Sequence, residues 1–197
     1  MALNELLLGS ASPRRKELLA YLGYAVSQVT INADESHPSN LKGSEIAEFI
    51  ALQKAKAYSK TIEENQLLLT ADTVVWHKGK HLAKPLDAQH AKEMLSSLSG
   101  QTHEVYTAVA LQSSSLTHSF SERTEVQFRK LREEEIDFYI AKYKPFDKAG
   151  AYGIQEWIGM VGIERIGGCY FNVVGLPLQR LYTELRGMGF HPNLKSE

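Results

Sequence analysis

The stretch "GSASPRRKELL", residues 9–19, reads as the end of a strand, a small-residue loop and the opening of a helix. It continues the short apolar run "ELLLGS", and its helix is punctuated at both ends, by Ser12 as N-cap, Pro13 at the first position and Gly23 beyond the last turn. The same stretch breaks a local rule. Arg14, Arg15 and Lys16 stand in the first helical turn, where the macrodipole is already positive and each cation costs from a few tenths to about 1 kcal/mol. A phosphate docked there would use the free backbone N–H groups, the Ser10 and Ser12 hydroxyls and the guanidinium groups together. The other reading is that the three cations fan into water or pair with distant carboxylates. A Walker loop is excluded, because the spaced glycines and the Gly-Lys-Ser/Thr ending are missing.

Outward from this unit, the polar, turn-rich "NADESHPSNLKG" precedes a helix over "SEIAEFIALQKAKAYSK", with Ser44 as cap and Ile46, Phe49 and Ile50 at helical spacing. "QLLLTADTVVWHKGKHL" predicts a long strand and a turn at Lys78-Gly79, a candidate hairpin. Asp87 and Gly100 bracket a helix whose Ala91, Met94, Leu95 and Leu98 share one face. "EVYTAVALQ" and "HSFSERTEVQF" predict an antiparallel pair joined by the serines at 113–115. Ile136, Tyr139, Ile140 and Tyr143 mark a further helix ended by Pro145. "CYFNVVGLP" predicts a late strand leading into the helix "LQRLYTELRGMG". The order is mixed, not strictly βαβ. With no internal repeat, low-complexity linker or break in composition, it predicts an α/β or α+β protein with one continuous sheet, bent into two lobes or not.

Composition bounds the function. The 197 residues are 43% apolar, enough for a sizeable core, and 22 basic against 23 acidic side chains give a formal net charge of -1. Any anion site must therefore be local, and neither a basic stripe nor a basic-aromatic platform for nucleic acid is visible. Cys169 is the one cysteine, which excludes an internal disulfide framework and a cysteine-cluster zinc site. The N-terminal "MALNELLLGS" has no basic n-region, and no apolar run approaches the roughly eighteen residues of a membrane span. The expected location is cytoplasmic.

Asp72 is the second anomaly, a carboxylate between "QLLLTA" and "TVVW". It must sit at the strand's carboxyl end or be buried with partners. There it could orient or deprotonate a water or bind a divalent cation, or it could simply cap neighbouring backbone N–H groups. Glu35 in "ADES" is a weaker candidate metal ligand. Lys54 and Lys56 lie two apart on a helix, so at most one serves the same site. Lys84 precedes Pro85, which holds its backbone extended. Lys148 and Gln155 lie in the Gly-rich "KPFDKAGAYGIQ", where small residues permit close approach to a ligand and an amide can read a base edge. The histidines show no metal-ligand spacing, and His77 and His81 flank the Lys78-Gly79 turn.

Taken together, "SASPRR", "ADE", "QKAKA", "ADTVV", "AKPLDAQHAKEMLSSLSGQTHEVYTAVAL", "DKAGAYGIQ" and "YFNVVGLP" resemble the Maf family of nucleotide pyrophosphatases, in family order across nearly the whole chain. The resemblance implies a single Maf-like domain over residues 1–197, with a long mixed, bent sheet flanked by helices, two lobes and a central cleft, as in inosine triphosphate pyrophosphatases. It implies a homodimer, a small-molecule nucleoside triphosphate as partner, no stable nucleic acid and no membrane. It also implies hydrolysis to the monophosphate and pyrophosphate with a divalent cation such as Mg2+, Mn2+ or Co2+. Position by position, Asp72 falls on the catalytic acid that accepts a proton from water. Arg14, Thr73 and Gln155 fall on positions associated with base choice, where "SPRR", "ADT" and "GIQ" look like the dTTP/UTP branch and unlike the 7-methyl-GTP branch. Ser10, Arg15, Glu35, Lys54 and Lys84 fall on cleft positions, with Ser12 beside them and Glu35 and Asp72 the candidate metal ligands. Ala11 is a small departure from the pattern, and "EWIGMVGIERIGG" receives no role. A noncatalytic nucleotide-binding regulator of septum formation, and a hydrolase of purine nucleotides such as ITP, are the alternatives.

Overall fold

The computed structural model of the protein describes residues 4–194. β1 (Glu5–Leu8), α1 (Pro13–Tyr21) and β2 (Val26–Gln28) are followed by α2 (Ser44–Lys56), β3 (Gln66–His77), β4 (Lys80–Leu82) and α3 (Ala88–Leu98). Next come β5 (Thr102–Gln112), β6 (Thr117–Phe128), α4 (Glu133–Tyr143), a 3-10 turn at Ala149–Ala151 and α5 (Trp157–Gly162). The chain closes with β7 (Ile163–Gly167), α6 (Tyr170–Val174) and α7 (Leu178–Gly187). One seven-stranded mixed sheet runs β2-β1-β3-β5-β6-β7, with β4 added to β3. β1 pairs in parallel with β2 and β3, and every other pairing is antiparallel. This is the α/β architecture expected, a long mixed sheet flanked by helices.

Alternation along the strands sets the layers. Leu6, Leu8, Leu67, Leu69 and Leu111 cover one face and pack on Leu18 and Leu19 of α1 and Leu181 and Leu185 of α7. On the other face Ala47, Ala51 and Ala55, one stripe of α2, meet Val74, Ala108 and Ala110. Small residues on both sides let that helix lie close to the strands, and the Thr70 hydroxyl donates to the Ala51 carbonyl at 2.7 Å. A further cluster joins Leu95 and Leu98 of α3, Tyr139 of α4 and Ile158 of α5 to Val126 and Phe128. Each fully buried leucine contributes about 2 kcal/mol by area removed from water.

The feature that creates the site is a notch in the sheet. β1 pairs with β3 only as far as Leu8↔Leu69, and β4 joins β3 only at Val75↔Leu82. Between those points β3 has a neighbour on the β5 side alone, and Asp72 and Thr73 lie in the gap. Asp72 is thus in mid-strand, not at a strand end, but it sits just beyond the carboxyl end of the parallel pair. Among the described residues no helix is long and apolar enough to cross a membrane.

Two expectations are corrected. "CYFNVVGLP" forms the helical turn α6, not a strand, because Asn172 at its centre is fully buried and donates to the Val105 carbonyl and the Thr124 hydroxyl. A short apolar run has no period long enough to reveal this. Gly43, at φ +48, is the cap of α2 and Ser44 its first residue; a Cβ at Gly43 would lie 2.9 Å from the Tyr106 ring. Separately, "EWIGMVGIERIGG", to which the sequence assigns no functional role, forms α5 and the edge strand β7.

Candidate active site

A cleft of about 1280 Å³ opens at the notch. Ser10, Ser12, Arg14, Arg15, Glu35, Lys54, Asp72, Thr73, Lys84 and Gln155 all line it, so the residues that the family resemblance assigns to the site come to one place. Lys56 points to another face of α2 and is exposed, as the spacing of two requires. Of the basic cluster that opens α1, Arg14 and Arg15 turn inward and Lys16 remains exposed.

Asp72 and Thr73 are neighbours on β3 and so face opposite sides of the sheet. Asp72 faces α2, where Lys54 Nζ donates to Oδ1 at 2.7 Å; both side chains are 14% exposed. The same ammonium lies 2.9 Å from Glu35 Oε1, and Lys84 Nζ approaches Glu35 Oε2 at 3.9 Å. Burial disfavours ionisation of Glu35. The hydrogen bond and charge of Lys54, with Lys84 and Arg15 behind them, outweigh burial and hold the carboxyl below its ordinary pKa. Among the described residues only Oδ1 of Asp72 is engaged, which leaves Oδ2 open to a water or a cation.

Thr73 faces α1 and α6. Arg15 donates from Nη2 to Thr73 Oγ1 at 3.1 Å, from Nη1 to Ser10 Oγ and the Ala71 carbonyl, and from Nε to the Gly175 carbonyl at 3.0 Å. The Thr107 hydroxyl donates to the Asn172 carbonyl at 2.8 Å, so the 2.9 Å contact between the threonines must run from Thr73 to Thr107. Arg15 therefore braces the notch: it satisfies a strand carbonyl where β3 has lost a partner and ties α1 to α6. Burial lowers its pKa, with Asp72 opposing, and one of an arginine's five N–H donors remains for a ligand.

Arg14 donates from Nη1 to Asp147 Oδ2 at 3.2 Å, across the cleft from α1 to the loop that carries Lys148 and Gln155. Gln155 makes no hydrogen bond to another described residue, so its amide is available to a ligand. Sequence reasoning missed Asp147 and Asn172, and it set aside the histidines. His37 Nδ1 must donate to the Pro38 carbonyl, and its Nε2 meets His81 Nδ1 at 3.3 Å on the cleft wall. No periodicity marks these residues, because each acts through a contact between segments distant in the chain.

The donor set suits a divalent cation of the magnesium type, which takes one or two carboxylates together with phosphate oxygens and water. Asp72 and Glu35 already share one cation, the Lys54 ammonium. Among the described residues no three His, Cys, Asp or Glu side chains form a self-sufficient metal cluster, so any ion here would complete its shell from the ligand.

A polar cleft at the carboxyl end of parallel strands, with lysines, arginines and paired carboxylates, defines a protein of the phosphate-handling α/β class. The chain belongs to the Maf family: the family model described as Maf-like protein matches residues 5–188. It is 52% identical over 184 residues to a dTTP/UTP pyrophosphatase of Bacteroides fragilis, covering 92% of this chain and 95% of that protein. The corresponding proteins of Phocaeicola vulgatus and Bacteroides thetaiotaomicron, named in the same way, are 51% and 49% identical with the same coverage. Among solved structures, the Ham1 protein of Staphylococcus aureus overlays with a TM-score of 0.44 at 12% identity, over 63% of this chain and 71% of its own.

Proposed function

We propose that this protein hydrolyses dTTP and UTP to the nucleoside monophosphate and pyrophosphate. The relatives named above carry that activity in their names, and the observation that supports it in this chain is the arrangement around Asp72. One carboxylate oxygen is held by Lys54 while the other is open in a cleft lined by further cations. In this reading the Asp72 carboxylate takes a proton from the attacking water. The water oxygen bonds to the α-phosphorus as the bond to the α–β bridging oxygen breaks, and pyrophosphate leaves with the electron pair. Lys54 orients Asp72, Lys84 and the remaining Arg15 donor neutralise the phosphate chain, and the Ser10 and Ser12 loop at the start of α1 receives its oxygens. A divalent cation held by Asp72 and Glu35 would supply charge stabilisation at the phosphoryl oxygens. Arg14 and Gln155 address the base, and Thr73 holds Arg15 in register.

We also assign the protein to the cytoplasm, as a homodimer of single-domain chains. The test of function is a panel of dTTP, UTP, CTP, 7-methyl-GTP and ITP with Mg2+, Mn2+ or Co2+, read by pyrophosphate release. Release from dTTP and UTP above the others is the expected result. Nucleotide binding without pyrophosphate release would instead support a noncatalytic regulator, and preference for ITP a purine hydrolase.

A further inference from the structure

Asp147 lies in none of the motif positions assigned a role, yet it closes the cleft. Its Oδ2 accepts from Arg14 Nη1 at 3.2 Å and its Oδ1 from Lys148 Nζ at 2.7 Å. Lys148 is 8% exposed and also lies 3.2 Å from Glu156 Oε1. Glu156 in turn accepts from the buried Tyr139 hydroxyl, and Tyr139 accepts from the Gly153 backbone N–H at 3.0 Å. The chain of contacts thus starts on Arg14, passes through Asp147 and Lys148 and ends on Glu156 and Gly153, one on each side of Gln155 in the loop.

The backbone is shaped to allow this. A Cβ at Gly153 would come 2.8 Å from the Glu156 carboxyl carbon and displace that carboxylate from its place between Lys148 and Tyr139. Gly150 has φ +68, and a Cβ there would press on Val75 at 3.0 Å. The loop is braced at both of these points by close packing that only glycine permits. Arg14, by contrast, has Asp147 as its ion-pair partner and is otherwise a long side chain, 29% exposed.

We infer that Asp147 is a positioning residue that orients Arg14 and thereby sets selectivity among pyrimidine bases; this rests on the pyrophosphatase reading above. Asp147 engages one Nη1 donor of the guanidinium and shares its charge between Arg14 and Lys148. Arg14 is left as a directional donor and not as a free counter-charge for the phosphate chain. Uracil and thymine present a keto oxygen at position 4, which accepts from such a donor, whereas cytosine presents an amino group, which cannot. The same contacts brace the backbone on both sides of Gln155, so the loop presents its amide to the cleft opposite Arg14.

The test compares kcat and KM for dTTP, UTP and CTP in the wild type, Asp147→Ala, Asp147→Asn, Asp147→Glu, Arg14→Ala and the Arg14→Ala/Asp147→Ala double variant. Asp147 is 60% exposed, so these changes leave the core intact. Asp147→Ala is expected to raise KM for dTTP and UTP about tenfold, the scale of one charge-assisted hydrogen bond, with kcat changed by less than about twofold. CTP should lose less, so that the preference over CTP shrinks. Asp147→Glu should recover part of the loss, Asp147→Asn should fall between, and Asp147→Ala should add nothing in the Arg14→Ala background. Equal losses on all three nucleotides, or losses that multiply in the double variant, overturn the inference while the pyrophosphatase reading stands. A wild type that leaves all three intact overturns both.

Discussion

Asp72 illustrates how a single residue acquires a chemical role from its surroundings. On a fully paired strand it would be a costly buried charge; at the notch it has Lys54 on one oxygen and the cleft on the other. Asp72→Asn keeps the shape and removes the proton acceptor, so kcat should fall by about a hundredfold or more while thermal unfolding shifts by only a few degrees. Retention of ordinary turnover by Asp72→Asn would remove Asp72 from the mechanism. Lys54→Met leaves two carboxylates together without their shared ammonium, and it should destabilise the protein by about 3 kcal/mol in denaturant titration. An unchanged midpoint would show that the triad carries no net stability. Asp72 and the arginines that open α1 were legible in the sequence because each breaks a local rule, a charge within an apolar strand or a cation at a helix start, whereas Lys54, a cation in the last turn of α2, was placed only by the family resemblance. Arg15 was legible as a cleft residue but not as a brace, since two of its four acceptors are backbone carbonyls of residues 71 and 175, which no side-chain pattern announces.

Among the elements, long amphipathic helices and long strands were readable and short connectors were not. α3 follows its Asp87 cap, which accepts from the His90 N–H at 2.8 Å, and the paired strands β5 and β6 follow their alternation. α6 is decided instead by the buried Asn172, a tertiary contact. α4 allows an electrostatic prediction. Glu135 receives the Arg132 N–H at 2.8 Å and a two-pronged grip from Arg129. The Arg129 bonds first, then the Arg132 N–H, pull its carboxyl from an ordinary 4.5 to about 2. Because the folded value is the lower one, this contribution to stability is present above about pH 4.5 and is lost as pH falls toward 2. The stability difference between wild type and Glu135→Gln should therefore be largest near neutrality and shrink over that window in urea titrations. A constant difference would contradict it.

The whole molecule is one sheet with clusters of core residues on both faces, and the two walls of the cleft share its long strands β3 and β5. We read the chain as a single domain, and calorimetry should then show one unfolding transition with matching calorimetric and van't Hoff enthalpies. Two separated transitions would contradict the single-domain reading. The composition, with its net charge of -1, gave no global field, and the structure accordingly gathers the cations that matter at one notch. The most direct test of that arrangement is hydrolysis of dTTP by the wild type in heavy-oxygen water with Mg2+ or Mn2+. Attack at the α-phosphorus predicts one heavy oxygen in the dTMP formed and none in the pyrophosphate. Label in orthophosphate or pyrophosphate, or no hydrolysis at all, would contradict the account.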